Sequence, residues 1–186
     1  MIDDIPAVIF AGGKSSRMGR DKALLPFGGY DTLTQYQYQK LKEIFEKVYI
    51  STKTDKFDFE APLILDTYTI NSPLGAIVSV LNYTQKPTFI LSVDVPFVTE
   101  DIIKKLINSN DINKVATIAK SPQGLEPLCG VYNPSFIDVA IKSIKHNNHK
   151  INYILKTEDI NIVKFIDSKP FLNLNYPTDY ENALNL

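Results

Sequence analysis

The sequence has a single cysteine, Cys129, and no tryptophan. One thiol excludes an intrachain disulfide framework and matches the usage of a reducing compartment, so the chain is expected to be cytoplasmic. An excess of either charge is also missing: 20 lysines and arginines stand against 21 aspartates and glutamates, a formal net charge of -1. That leaves no overall positive field to hold a nucleic-acid backbone, and nucleic acid is excluded as a partner. No stretch approaches the roughly 18 apolar residues of a membrane span, and the start MIDDIPAVIFAGG lacks the basic region of an export signal. Repeats, low-complexity tracts and linkers are absent too. What remains is 186 residues, 44% of them hydrophobic, ample for one core. The expectation is a monomer with one domain over residues 1–186 and a small ligand.

The apolar run Pro6 to Phe10 stops abruptly at Ala11-Gly12-Gly13, the pattern of a buried strand feeding a tight loop. Near-helical spacing predicts a helix from Leu33 to Val48, followed by a strand from Val48 to Ser51. The rhythm continues with a strand Leu63 to Leu65, a helix Pro73 to Tyr83 with proline in its first turn, and a strand Thr88 to Val93. Thr99 is placed to cap a helix running to Asn108, and Lys114 to Ala119 is the next strand. Strands at Pro127–Tyr132 and Ile160–Ile166, helices at Ser135–Lys145 and Ile151–Lys156, and a last helix after Pro177 alternate less regularly, so some mixed pairing is expected there. The fold class is α/β: a Rossmann-like three-layer α/β/α sandwich with a mostly parallel sheet and its ligand beyond the carboxyl ends of the strands.

Five of the eight glycines, Gly12, Gly13, Gly19, Gly28 and Gly29, lie in the first 29 residues, interleaved with Lys14, Arg17, Arg20 and Lys22. Glycines let main-chain N–H groups approach an anion closely, and the cations add charge, so the loop reads as a polyphosphate cradle. Its GGKSSRMG spacing is neither that of a P-loop nor that of a dinucleotide fold.

The string FAGGKSSRMGRDKALLPFGG, residues 10–29, resembles the N-terminal signature of nucleotidyltransferases with a glycosyltransferase-A-like fold, most closely the molybdenum cofactor guanylyltransferases. The family pattern hydrophobic-A-G-G-x-S-x-R-M-G-x-D-K is matched by Ala11, Gly12, Gly13, Ser15, Arg17, Met18, Gly19, Asp21 and Lys22. The resemblance implies that Phe10, Ala11, Gly12 and Gly13 contact the nucleotide, while Arg17 and Lys22 hold its phosphates. Chemistry agrees: a guanidinium grips phosphate at two points and a lysine supplies a compact charge, together offsetting charge on departing pyrophosphate.

Asp94 follows the apolar strand FILSV and precedes Pro96. A carboxylate there suits Mg²⁺, which takes few protein oxygens beside those of a triphosphate, and the resembling family uses its D-x-P aspartate for that ion. Asp66, closing LILD, corresponds to the family's base-reading aspartate. A carboxylate accepts from guanine N1–H and the exocyclic amine, whereas adenine N1 is unprotonated. Two departures stand out: Ser72 replaces a usual glycine in SPLGAI, and Lys53 stands near where an asparagine is common after the second strand, which keeps cytosine open as the alternative base. FLNLNYPTDY, residues 171–180, resembles the family's closing N-x-N-T-P-x-D with Tyr176 in place of threonine, and Asn173 and Asn175 are assigned to the acceptor or metal side. GLEPLCGVYN, residues 124–133, is similar to another family strand. His146 and His149 read as a solvated helix end, and Cys129 lacks the basic setting of a nucleophile.

The resemblance thus implies a magnesium-dependent enzyme that transfers GMP from GTP to the phosphate of molybdopterin or its molybdenum form, releasing pyrophosphate; it leaves room for other proteins of molybdenum-cofactor biosynthesis as partners. Two alternatives fit the same residues: a related nucleotidyltransferase using CTP or another phosphate acceptor, and a non-catalytic GTP-binding module.

Overall fold

The computed structural model describes residues 1–13, 19–68 and 72–185. Among these, seven strands form one sheet in the order β3-β2-β1-β4-β6-β5-β7. The strands are β1 (Ala7–Phe10), β2 (Val48–Thr52), β3 (Leu63–Leu65), β4 (Thr88–Ser92), β5 (Ala116–Ser121), β6 (Gly124–Tyr132) and β7 (Asn161–Lys164). All neighbouring pairs are parallel except those of β6, which runs antiparallel between β4 and β5. The mixed pairing expected of the last third is therefore concentrated in one strand.

Among the described residues six α-helices flank the sheet: α1 (Leu33–Lys42), α2 (Pro73–Thr84), α3 (Glu100–Asn108), α4 (Phe136–Lys145), α5 (Ile151–Thr157) and α6 (Pro177–Ala183). Side-chain alternation along β1 sorts the core. Ala7 and Ile9 pack with Leu41 of α1 and Ile103 of α3, whereas Val8 and Phe10 pack with Ile77 of α2 and Phe136 of α4. Every residue of β1 is buried, as in a parallel strand covered on both faces. Each such aliphatic side chain contributes about 1.5–3 kcal/mol of transfer free energy.

Helix starts follow local chemistry. Thr99 Oγ1 accepts from Ile102 N at 3.4 Å, as its position foretold, and Ser72 Oγ accepts from Leu74 N at 3.2 Å with Pro73 in the first turn. Several boundaries differ from expectation, among them the start of β6, which lies at Gly124 rather than Pro127. The first helix ends at Lys42 rather than Val48, because Ile2 pairs with the following turn: its N–H donates to Ile44 O, and its carbonyl accepts from Glu46 N, both at 2.8 Å. β5 starts at Ala116, two residues late, and runs on to Ser121. β7 stops at Lys164, leaving Ile166 99% exposed.

In β6 the pairing slips: Ile118 faces Gly130 but Ala119 faces Glu126. The residues between them on β6 bulge, held by the Tyr132 hydroxyl donating to Pro127 O at 2.6 Å. Gly130 is required beside the bulge, since a Cβ there would lie 2.4 Å from Thr117 O. The bulge carries Leu128 to the carboxyl edge of the sheet.

Candidate active site

Because β1, β2, β3 and β4 are parallel, their carboxyl ends share one edge, with Phe10 in register with both Ser51 and Ser92. Asp66 follows the last residue of β3 and Asp94 lies just past β4. Residues far apart in sequence therefore meet at the edge where β1 gives way to Gly12 and Gly13. A cavity of about 410 Å³ opens there, within the range of small-molecule sites.

Phe10, Gly12 and Gly13 line this cavity from β1 and its exit, Ser51 and Lys53 from β2 and its exit, and Asp66 from the exit of β3. Ser72, Pro73 and Ala76 of the α2 start, together with Ser92 and Leu128, complete it. Gly12 has open space around its Cβ position, so main chain is presented to the cavity without obstruction. Gly28 and Gly29 do something else. They form a tight turn at φ +58° and +82° between Phe27 and Tyr30, with Gly28 packed so closely on the Tyr36 ring that a Cβ would clash at 2.6 Å.

Asp66 is half-buried, and its Oδ1 accepts from the Ser51 hydroxyl at 3.4 Å. Burial holds its carboxyl above the usual aspartate range, opposed by the charge of Lys53 and by the Ser51 hydrogen bond. The acidic group at one end of the cavity is thus paired electrostatically with a cation beside it.

A second cluster adjoins this cavity through Ser92, whose hydroxyl donates to Asp94 Oδ1. Lys22 Nζ donates to Asp94 Oδ2 at 2.5 Å and to Asn175 Oδ1 at 3.2 Å. The Lys22 and Asp94 side chains are each only 15% exposed. The main chain of Leu174 donates to Asp94 O at 2.9 Å, binding the closing segment to the end of β4. Tyr180 of α6 adds a second attachment, its hydroxyl donating to Pro26 O.

Lys22 is aimed by its own short turn. Residues Lys22–Leu24 form one 3-10 turn capped by Asp21, whose Oδ1 accepts from Ala23 N at 3.1 Å. Thr34 of α1 holds that turn by donating to Ala23 O at 2.8 Å. Lys56 bridges the base of the loop, donating to Asp21 Oδ2 at 2.5 Å and to Ala11 O at 3.1 Å.

Of the residues singled out from sequence, Phe10, Gly12, Gly13 and Asp66 meet in the cavity, Ala11 is buried and does not line it, and Lys22, Asp94 and Asn175 meet in the adjoining cluster. Asn173 does not join them: it is exposed and its amide turns back to Phe171 O at 3.2 Å. Arg17 lies outside the described residues, as do Ser15 and Met18 of the same motif. Asp179 receives the N–H groups of Asn175 and Tyr176 at 3.1 and 2.8 Å, capping α6 rather than reaching the cluster.

Ser51, Ser92 and Lys56 were not foreseen. A serine ending an apolar strand was a usable signal for the first two, but nothing in TKTDKFDFE marks Lys56, whose partners lie 35 and 45 residues away. Cys129 is buried, and burial pushes its thiol far up, opposite to an activated nucleophile. His146 Nδ1 pairs with Lys142 O and His149 Nε2 with Asn147 Oδ1. Among the described residues no group of three or more His, Cys, Asp or Glu is arranged to hold a metal.

Known proteins resemble this chain along nearly its whole length. The chain is 38% identical over 183 residues to a protein of Campylobacter jejuni subsp. jejuni named molybdenum cofactor guanylyltransferase, covering 97% of this chain and 95% of the relative. It is 34% identical over 193 residues to a Helicobacter pylori protein of the same name, covering 100% and 94%. The fold matches the crystal structure of molybdopterin-guanine dinucleotide biosynthesis protein A from Archaeoglobus fulgidus with a TM-score of 0.84 at 20% identity, over 97% of both chains. The model of the MobA-like NTP transferase domain matches residues 7–159, most of the chain and most of the residues that build the cavity and the adjoining cluster, and the chain belongs to the MobA-like NTP transferase family.

Proposed function

We propose that this protein is a molybdenum cofactor guanylyltransferase: it transfers GMP from GTP to the terminal phosphate of molybdenum-molybdopterin, forming the guanine dinucleotide cofactor and pyrophosphate. The observation that carries this reading is the direct junction of the cavity containing Asp66 with the Lys22–Asp94–Asn175 cluster through Ser92. A base and a charged polyphosphate need two such adjacent environments. The names of the Campylobacter and Helicobacter relatives support it.

In this reading guanine enters the cavity with its N1–H and 2-amine donating to Asp66, which Ser51 steadies. Lys53, lining the same cavity, supplies a donor for the guanine O6. Adenine reverses both requirements, presenting an acceptor to the carboxylate and an amine to the ammonium. Gly12 and Gly13 let main chain pass close to the sugar and phosphates.

A Mg²⁺ ion fits the donor set at the cluster. The Asp94 carboxylate and the Asn175 amide oxygen both already face one cation, the Lys22 ammonium, and hard oxygens at a sheet edge are the ligands this ion takes. Asp94 would hold it together with phosphate oxygens, where it supplies charge neutralisation. Lys22 and Arg17 bind the phosphates and offset the charge that grows on pyrophosphate as it leaves. The acceptor oxygen is an ionised phosphate at neutral pH, so the in-line displacement at the α-phosphorus needs neither a strong general base nor a covalent enzyme intermediate.

The protein is read as a cytoplasmic monomer acting on small molecules. The decisive experiment offers GTP, CTP, ATP and UTP in turn with molybdopterin and Mg²⁺, and scores pyrophosphate and the base-containing product. Guanine dinucleotide is the expected product; turnover preferring CTP would replace the substrate assignment, and saturable GTP binding without pyrophosphate release would replace catalysis by binding.

A further inference from the structure

The loop that leaves β4 is fastened at three consecutive carbonyls by three different donors. Asp94 O accepts from Leu174 N at 2.9 Å, Val95 O from Gln37 Nε2 at 3.2 Å, and Pro96 O from Lys40 Nζ at 2.7 Å. Gln37 and Lys40 both belong to α1, one turn apart and therefore on one face. Neither residue lies in a motif, and both reach about 57 residues along the chain to the segment carrying Asp94.

The loop's own turn bond, from Val95 N to Ser92 O, is long at 3.4 Å. Pro96 has no N–H, and a sharp exit from a strand leaves its carbonyls without ladder partners. Gln37 is completely buried, and among the described residues its Oε1 has no hydrogen-bond partner. Burying an unmet acceptor is unfavourable, and an apolar side chain would fill the same place without that cost. A lysine stem threaded through the core side of α1 to end on a main-chain carbonyl is unfavourable in the same way. Both features make sense where the position of Val95 and Pro96 matters more than the stability of α1.

We infer that Gln37 and Lys40 are positioning residues that set the Asp94 carboxylate for its divalent ion and phosphate, acting through the Val95 and Pro96 carbonyls. The inference rests on the assignment of Asp94 to the ion given above. With the clamp in place, Asp94 meets Lys22 and Ser92 at fixed distance, and Lys22 reaches Asn175. Without it, the Val95 and Pro96 carbonyls lose their side-chain donors, the segment past Asp94 keeps the Leu174 attachment and the long turn bond from Val95 N to Ser92 O, and the carboxylate is held less firmly relative to its partners.

Mn²⁺ binding to the protein with GTP, read by electron paramagnetic resonance, tests this without depending on turnover. Gln37→Leu and Lys40→Met should each weaken Mn²⁺ binding on the order of tenfold, as loss of an outer partner of a metal ligand does, with the KM for GTP changed less than about twofold. Lys40→Arg, which keeps a donor, should restore most of the affinity. Asp94→Ala serves as the control. If Asp94→Ala binds Mn²⁺ as the parent protein does, the ion assignment fails and the inference with it. If Asp94→Ala loses the ion while Lys40→Met retains parental affinity, the clamp alone is refuted. Should Gln37→Leu fail to fold, Lys40→Met and Lys40→Arg decide the matter, because Lys40 lies at the helix end and methionine keeps its stem packed.

Discussion

Replacing Lys22 with methionine removes a charge that Asp94 Oδ2 and Asn175 Oδ1 share, at 2.5 and 3.2 Å, while keeping a stem of similar length. Two effects should follow and can be separated. For stability, stranding one partner of a buried ion pair costs about 3–5 kcal/mol. Here both side chains keep 15% exposure and Ser92 still donates to Asp94, so the expected loss is about 1–2 kcal/mol. For catalysis, removing a preorganised charge from a developing anion costs about 2.7–4 kcal/mol, or 10²–10³-fold in turnover. Urea unfolding reads the first, and single-turnover pyrophosphate release with saturating GTP and acceptor reads the second. A double-mutant cycle with Asp94→Asn should give a coupling of at least about 1 kcal/mol in stability. The reasoning is refuted if Lys22→Met loses stability as expected but turns over within threefold of the parent protein, because the pair would then be an architectural contact with no part in the chemistry.

Asp66→Ala should weaken GTP binding and erase the preference for GTP over ATP while leaving the rate at saturation nearly unchanged; unaltered base preference in competition assays would remove Asp66 from the base site. Since burial raises the Asp66 carboxyl above the ordinary range, guanine preference should fade on acidification at a higher pH than an ordinary aspartate would dictate, which a pH series of KM for GTP and ATP reads directly. Burial lowers Lys40 from 10.5 to about 8, opposed by Cys129. The folded protein therefore binds fewer protons at this site than the unfolded chain between those values, and the site's stabilising contribution is present above about 10.5 and lost as pH falls through about 8. Denaturation of the parent and Lys40→Met proteins across this window should differ by up to about 3 kcal/mol in pH dependence; parallel curves would place the ammonium in water. Gly130→Ala, with its Cβ forced to 2.4 Å from Thr117 O, should lower stability by about 1–3 kcal/mol, and an unchanged midpoint in thermal unfolding would show that β5 and β6 separate freely.

The alternation of apolar runs with near-helical spacing made the α/β class, most element positions and the parallel half of the sheet legible, because these depend on short-range periodicity and on burial of both faces of each strand. Boundaries failed where a remote segment intervened. Ile2 pairing beside Phe45 ended α1 early, although the spacing of Ile44 and Phe45 continues the helical pattern. The slip in β6 between Glu126 and Gly130 has no local signature beyond a proline and a glycine.

For the site, the sequence by itself determined the chemical kinds: a glycine exit from the first strand, cations in the loop behind it, and aspartates closing two apolar strands. Those follow from residue type and from position relative to a strand end. Only the tertiary structure decided which of them meet. It brought Asn175 to Lys22 and sent Asn173 to Phe171, although the two asparagines are equivalent in the motif. It put Lys53 and Ser51 in the cavity with Asp66, assigned Gly28 and Gly29 to a turn, and recruited Lys56, Gln37 and Lys40 from segments without any motif. The reason is physical: a side chain's chemistry is carried by its own atoms, but its partner is chosen by the crossings of the chain, which bring together residues tens of positions apart.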